Sequence, residues 1–211
     1  MQIAFVLFDR FTALDVVGPY EMLSGAPGAE IVLVAERKGP VRNDRGSLAL
    51  MADLTLDEVT APDVVVVPGG PGQSGQMDNG ALLGWLRNAD AASTWTTSVC
   101  SGSLLLAAAG LLTGRRATSH WLALDSLRTY GARPTDERVV FDGKYVTAAG
   151  VSAGIDMGLT LLGRIAGDEH ARTVQLLTEY DPEPPYDSGS PGKAPAAVVE
   201  YWRANSRFIL T

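Results

Sequence analysis

The chain has 211 residues, 46% of them hydrophobic and 19% charged, with a formal net charge of −7. That length and balance suit one globular domain with a sizeable core and exclude a disordered chain, and the acidic excess argues against a protein built to coat nucleic acid. The single cysteine, Cys100, rules out an internal disulfide and points to a reducing, cytoplasmic compartment.

Ile3 to Phe8 is a continuous apolar run, the pattern of a strand buried on both faces. It is short and followed at once by Asp9 and Arg10, so it lacks the cationic leader and cleavage site of a signal peptide. A helix is expected over Asp15 to Leu23, with Pro19 in its first turn and its end near Ser24-Gly25. Ile31 to Ala35 reads as a second strand. Val41 to Met51 reads as a hairpin bent at Asn43-Asp44-Arg45-Gly46, and Asp57-Glu58 as a brief turn. Val64 to Val67 is a third buried strand that stops in Pro68-Gly69-Gly70-Pro71-Gly72. Gly80 to Ala92 is an amphipathic helix with Leu82, Leu83, Trp85 and Leu86 in its apolar stripe.

Next comes the stretch on which a functional reading turns. Trp95 to Val99 carries strand-forming residues, and Leu104 to Ala109 carries helix formers closed by Gly110. Cys100 thus sits where a strand turns into a helix, and Ser101, Gly102 and Ser103 are small enough to make the turn and to cap the helix. A thiol at a helix N-terminus is biased towards the thiolate, and the amides there can hold developing negative charge. This is the pattern of a nucleophile elbow with Cys for Ser. The competing reading of a lone cysteine, a small buried hydrophobe, fits the flanking pattern less well.

Beyond the elbow, Ala117 to Ser119 reads as a short strand and Trp121 to Tyr130 as a helix ended by Gly131. Val139 to Phe141 and Tyr145 to Ala148 flank the turn signal Asp142-Gly143-Lys144. Helices are expected from about Ile155 to Ala166, from a cap at Asp168 to about Tyr180, and from Ala196 to Asn205. Between the last two, residues 181–195 form an arm rich in Pro, Gly and Ser. The longest apolar run, Leu104 to Leu112, is too short to span a bilayer, so no membrane partner is expected. No linker or repeat divides the chain, so residues 1–211 read as one α/β domain, a mainly parallel sheet with helices on both faces. Ligands bind such sheets at the carboxyl ends of the strands.

Those ends supply the candidates. Asp15 follows the first strand and is either an acid or the cap of the first helix. Gly69 to Gly72 is either a plain turn or a place of close backbone approach, with the Gly70 N–H aimed at substrate. A phosphate loop is disfavoured, since no Lys-Ser/Thr pair follows the glycines. Gly150 and Val151 follow the last strand. His120 is a candidate general base for Cys100, or a polar residue at a helix start. His120 and His170 lie far apart and no Cys/His cluster exists, so no metal site is expected.

These residues resemble the ThiJ/PfpI superfamily, and within it the isonitrile hydratases. The likeness rests on Leu14-Asp15-Val16-Val17-Gly18-Pro19, Val67-Pro68-Gly69-Gly70 and Thr97-Ser98-Val99-Cys100-Ser101-Gly102-Ser103. It continues through Gly114 to Trp121, Gly154-Ile155-Asp156 and the arm from Pro184 to Pro191, covering nearly the whole chain. The resemblance implies a flavodoxin-like three-layer sandwich with the Cys at a nucleophile elbow. Superfamily members usually carry Glu as the acidic partner, so Leu14-Asp15 is the more specific match. PfpI-type peptidases have His after the nucleophile; Ser101 here counts against a peptidase. Isonitrile hydratases have Thr there, and Ser101 keeps the hydroxyl and the backbone N–H.

What the resemblance implies is hydration of an organic isonitrile to an N-substituted formamide, carbon–nitrogen lyase chemistry through a Cys100 thioimidate. Asp15 would supply the proton, and the amides of Gly70 and Ser101, with Gly150 and Val151, would orient substrate or water. If Asp15 lies beside Cys100, the two cannot both ionise comfortably, since charges ~4 Å apart repel by about 4 kcal/mol at an effective dielectric near 20; the helix dipole favours the thiolate, so the shared proton is expected on Asp15. No metal or organic cofactor is expected, and superfamily members are usually homodimers. Two other readings stand beside this one: glyoxalase- or deglycase-like chemistry on the same Cys, and a non-enzymatic ligand or redox sensor. The chain leaves no room for a helix-turn-helix pair after the α/β unit, which counts against a DNA-binding regulator.

Overall fold

The computed structural model describes residues 1–206. The elements are, in order, β1 (Gln2–Val6), α1 (Ala13–Leu23), β2 (Glu30–Ala35), β3 (Gly39–Arg42), β4 (Ala49–Ala52), β5 (Leu54–Thr55), β6 (Val64–Val67) and α2 (Gly80–Ala92). They continue with β7 (Trp95–Val99), α3 (Gly102–Ala108), β8 (Arg116–Ala117), β9 (Arg133–Pro134), β10 (Val139–Asp142), β11 (Tyr145–Ala148), α4 (Ala153–Ala166), α5 (Asp168–Leu177) and α6 (Ala196–Ala204).

Among these residues the central sheet has seven strands in the order β10-β11-β7-β6-β1-β2-β5, all parallel except the β10–β11 hairpin. From β1 the chain moves one way to β2, then returns beside β1 at β6 and proceeds the other way through β7 to β11. Right-handed crossovers therefore put α1 on one face and α2 with α3 on the other, and α4 comes back to pack on α1. The strand order reverses between β1 and β6, and a ligand crevice opens at such a point. The architecture is the flavodoxin-like α/β sandwich.

The continuous apolar runs became the middle of the sheet. Ile3 to Val6 and Val64 to Val67 have no exposed surface, and burying each such side chain contributes roughly 1.5–3 kcal/mol. On the α1 face, helices approach closely because glycines leave room: a Cβ at Gly158 would stand 2.7 Å from Met22 Cβ. At the amino ends of β7 and β11, buried Asp90 of α2 accepts from Thr96 Oγ1 (2.7 Å) and Tyr145 Oη (3.1 Å) and pairs with Lys144 (3.1 Å).

Some boundaries differ from the sequence reading. Pro19 lies inside α1, which begins at Ala13, and not in its first turn. Packing against α4 holds the helix together there, although a proline cannot donate to the carbonyl four residues back. Asp168 is the first residue of α5, after Gly167, and makes no capping bond; its charge can act only on the helix dipole. Trp121 to Tyr130 is not an α-helix: a tighter 3-10 segment covers Leu124–Tyr130 and ends at Gly131 in the left-handed region. Only Ala117 of the expected Ala117-to-Ser119 strand is paired, in a two-residue ladder with β9. The two short strands β5 and β9 carry no periodicity that sequence reading could detect.

Candidate active site

Cys100 closes β7 with φ +60°, a conformation that costs a non-glycine residue about 1–2 kcal/mol. Its N–H is divided between the carbonyls of Ala148 (3.1 Å) and Ala149 (3.0 Å) on neighbouring β11, and its carbonyl accepts from Ser119 Oγ (3.0 Å) and Ser103 Oγ (3.3 Å). Four hydrogen bonds thus hold the strained residue, and the chain leaves it directly into α3. The thiol is fully buried.

Asp15 lies on α1, fully buried, and its Oδ2 accepts from the N–H of Gly69 at 2.9 Å. Thr12, not Asp15, occupies the cap of α1. Gly69 is the bridge between the two functional groups. A Cβ on it would stand 2.5 Å from Ser101 N and 3.0 Å from Cys100 Cβ, so only glycine brings β6 this near the elbow. Asp15 and Cys100 therefore flank one glycine, at the crevice where the strand order reverses.

Ser101 occupies the N-cap of α3, but its side chain makes no capping bond. Its Oγ instead accepts the Gly70 N–H at 3.1 Å, so that amide is engaged with Ser101 and not aimed directly into the site. Gly70 itself has φ +133° and presses against the backbone of Phe11 and Thr12. Accepting this bond leaves the Ser101 hydroxyl hydrogen to point elsewhere.

On the far side of Cys100, Val151 has φ +25°, a second strained residue, and Gly150 lies beneath the His120 ring, whose Cδ2 would be 2.8 Å from a Cβ there. His120 Nδ1 accepts from the Leu122 N–H at 3.2 Å, which places the proton of a neutral ring on Nε2. The loop is braced from outside. Arg138 pairs with Asp156 and reaches Ser152 Oγ (3.3 Å), and Tyr180 Oη donates to Asp156 (3.0 Å). Burial, and then the Asp156 carboxylate, push the Tyr180 hydroxyl above its ordinary range, keeping it a donor. A cavity of about 540 Å³ opens against this loop, bounded by His120, Trp121, Gly150, Val151 and arm residues Gly189 to Pro191. Among the described residues no group of acidic, His or Cys side chains is arranged to hold a metal, and no helix is long and apolar enough to cross a membrane.

Comparison with known proteins gives the family. The model of the DJ-1/PfpI family matches residues 1–164. The chain belongs to the DJ-1/PfpI family. An isonitrile hydratase of Pseudomonas putida is 45% identical over 200 residues, covering 95% of this chain and 87% of that protein. A crystal structure of a ThiJ/PfpI family protein from Pseudomonas syringae superposes with a TM-score of 0.94 at 40% identity, covering 97% of this chain and 85% of that one. A helix-turn-helix transcriptional regulator of Pseudomonas aeruginosa is 34% identical over 144 residues, which is 67% of this chain but 42% of the regulator.

Within the family frame, the structure assembles Cys100, Asp15, Gly70 and Ser101 at one crevice and sets Gly150, Val151 and His120 beside it. Sequence reading missed Ser119, which steadies the Cys100 carbonyl, and the Arg138–Asp156–Tyr180 brace. A serine before a histidine signals nothing by itself, and the brace joins residues 18 and 24 positions apart.

Proposed function

We propose that this protein is an isonitrile hydratase that works through a Cys100 thioimidate. The observation that carries the reading is the near full-length likeness to the Pseudomonas putida isonitrile hydratase, and a buried Asp15 beside the elbow of Cys100 suits it. The Cys100 thiolate attacks the terminal carbon of R–N≡C, and that carbon takes the proton of Asp15, giving Cys–S–CH=N–R. The Asp15 carboxylate then draws a proton from water as its oxygen adds to the same carbon, and the nitrogen takes up that proton. As the C–S bond breaks, the hydroxyl of the adduct returns its proton to Asp15. Formamide R–NH–CHO leaves and both groups are restored. The Ser101 hydroxyl, held by the Gly70 N–H, orients the polar atoms of substrate and water, and His120 walls the site over Gly150.

The reading extends to one cytoplasmic domain that pairs as a homodimer. The large exposed apolar side chains of the C-terminal third, Leu176, Leu177, Tyr186 and Trp202, support a second copy as partner. The test is disappearance of a simple aliphatic isonitrile, followed by infrared absorbance, with purified wild type and Cys100→Ala. Wild type is expected to turn over, and the alanine variant to be folded and to lose at least a thousandfold in rate. An alanine variant as active as wild type would exclude the covalent route.

A further inference from the structure

Ser119 has no part in the thioimidate route, yet it is bonded to the residue that carries the sulfur. It is 2% exposed, and its Oγ donates to the Cys100 carbonyl at 3.0 Å, beside Ser103 Oγ, which donates to the same oxygen at 3.3 Å. The segment that carries Ser119 is itself fastened to other strands. Ala117 pairs with β9, and the Thr118 N–H donates to Thr147 Oγ1 of β11 at 2.9 Å. β11 also supplies the Ala148 carbonyl that takes the Cys100 N–H. The peptides on both sides of Cys100 thus have an anchor on β11.

The oxygen that Ser119 holds belongs to the Cys100–Ser101 peptide. No peptide bond among the described residues is cis, and in a trans peptide the carbonyl and the following N–H point in opposite directions. Two hydroxyls on the oxygen therefore fix the direction of the Ser101 N–H. That N–H makes no hydrogen bond among the described residues, although Ser101 is fully buried, and a buried amide rarely goes unpaired. Ser101 N borders a small space that glycine keeps open at the elbow. A Cβ on Gly69 would stand 2.5 Å from Ser101 N, 2.6 Å from Ser101 Oγ and 3.0 Å from Cys100 Cβ. Gly69 also gives its own N–H to Asp15, so this space lies between the acid and the nucleophile.

We propose that Ser119 is a positioning residue: by holding the Cys100 carbonyl it aims the Ser101 N–H at the oxygen of the Cys100-bound adduct. The proposal rests on the isonitrile reading of the same site. After water has added to the thioimidate, the C–S bond breaks as the adduct hydroxyl gives its proton to Asp15 and becomes the formamide carbonyl. Negative charge gathers on that oxygen in passing, and an amide already aimed there stabilises it without reorganising. Alkylation of the thiolate by iodoacetamide gathers its charge on the departing iodide instead. Ser119 therefore matters to hydration and not to the reactivity of the sulfur.

The experiment measures hydration of a simple aliphatic isonitrile and alkylation of Cys100 by iodoacetamide in wild type, Ser119→Ala, Ser119→Thr and Ser103→Ala. Ser119→Ala should lower kcat about tenfold, with KM and the alkylation rate within about twofold of wild type. Ser119→Thr, which keeps the hydroxyl, should bring kcat back to within about threefold. Ser103→Ala removes the longer of the two bonds and should lower kcat about threefold; it reads the same carbonyl if Ser119→Ala does not fold. Wild-type kcat in the alanine variants would overturn the proposal. So would an equal fall in kcat and alkylation, because Ser119 would then hold the sulfur and not the amide. A second readout needs no hydration. Propanal adds reversibly to a thiolate, and the hemithioacetal carries an oxygen on the sulfur-bound carbon. Its affinity, read as protection of Cys100 from iodoacetamide, should weaken about fivefold in Ser119→Ala and recover in Ser119→Thr. If wild type hydrated no isonitrile but propanal behaved in this way, the reaction would fall and the positioning would stand. Equal protection by propanal in wild type and Ser119→Ala would overturn the positioning.

Discussion

The two ends of the sheet each bury an aspartate, and they treat it in opposite ways. At the amino ends of β7 and β11, Asp90 is met by two hydroxyls and the Lys144 ammonium. The positive φ at this end falls on Gly143 of the hairpin turn, where it costs almost nothing. At the carboxyl ends, Asp15 meets the Gly69 amide across from a cysteine, and strain gathers: Arg10 after β1, Cys100 after β7 and Val151 after β11 all have positive φ without being glycine. A backbone conformation of that kind costs about 1–3 kcal/mol and persists only where the surrounding structure over-determines it. One end is relaxed and satisfied and serves stability. The other is held under tension by hydrogen bonds from β11, Ser103 and Ser119, and that is where chemistry can be done.

The largest effect that would sharpen this contrast is at Asp15. Asp15→Asn keeps a group that fits but cannot surrender a proton. Isonitrile turnover should fall at least a hundredfold while Cys100 alkylation by iodoacetamide stays within about fivefold. Wild-type turnover in the Asn variant would reduce Asp15 to a packing residue and erase the distinction between the ends.

Asp90→Ala should do the reverse. It strips Thr96 and Tyr145 of a buried acceptor and Lys144 of its counter-charge, at a cost of about 3 kcal/mol in denaturant unfolding. The kcat of the folded variant should stay within about twofold of wild type. Loss of turnover in step with stability would show that the two ends are mechanically coupled.

The smallest expected effect is at Tyr145. Burial first, then the Asp90 carboxylate, raise the ionisation of its hydroxyl above the ordinary value near 10. The folded state therefore holds this proton more tightly than the unfolded one. Stability is fully present below about pH 10 and falls as pH rises through the folded-state value. Tyr145→Phe should flatten part of that alkaline fall in unfolding midpoints from about pH 9 to 11.5, leaving the part due to Tyr180, which is shifted the same way. An alkaline limb unchanged in slope would show that the Asp90 network does not hold the tyrosine neutral.

Much of the relaxed framework was legible beforehand, because burial writes itself into local pattern. Val64 to Val67 can be little else than a central strand, and Trp95 to Ala108 shows a strand-to-helix change at Cys100 without any tertiary information. The boundaries that failed are those decided by contacts between distant segments. Pro19 tolerates the interior of α1 because α4 packs there, and Trp121 to Tyr130 tightened into a 3-10 segment although its composition allows an α-helix.

What the sequence determined by itself is the alternation of strands and helices, the single thiol at a helix start, and the placing of Leu14-Asp15 and Gly69-Gly70 just beyond strand ends. Each is a property of neighbours along the chain, and local sterics and periodicity are enough to encode it. Only the tertiary structure decided that Gly69 stands between Asp15 and Cys100, residues 85 positions apart, that the Gly70 amide is taken by Ser101, and that Arg138, Asp156 and Tyr180 brace the Val151 loop. Those relations follow from the reversal of strand order between β1 and β6, which brings loops remote in sequence to one crevice; no local pattern carries that information, because the distance is closed by the sheet and not by the chain.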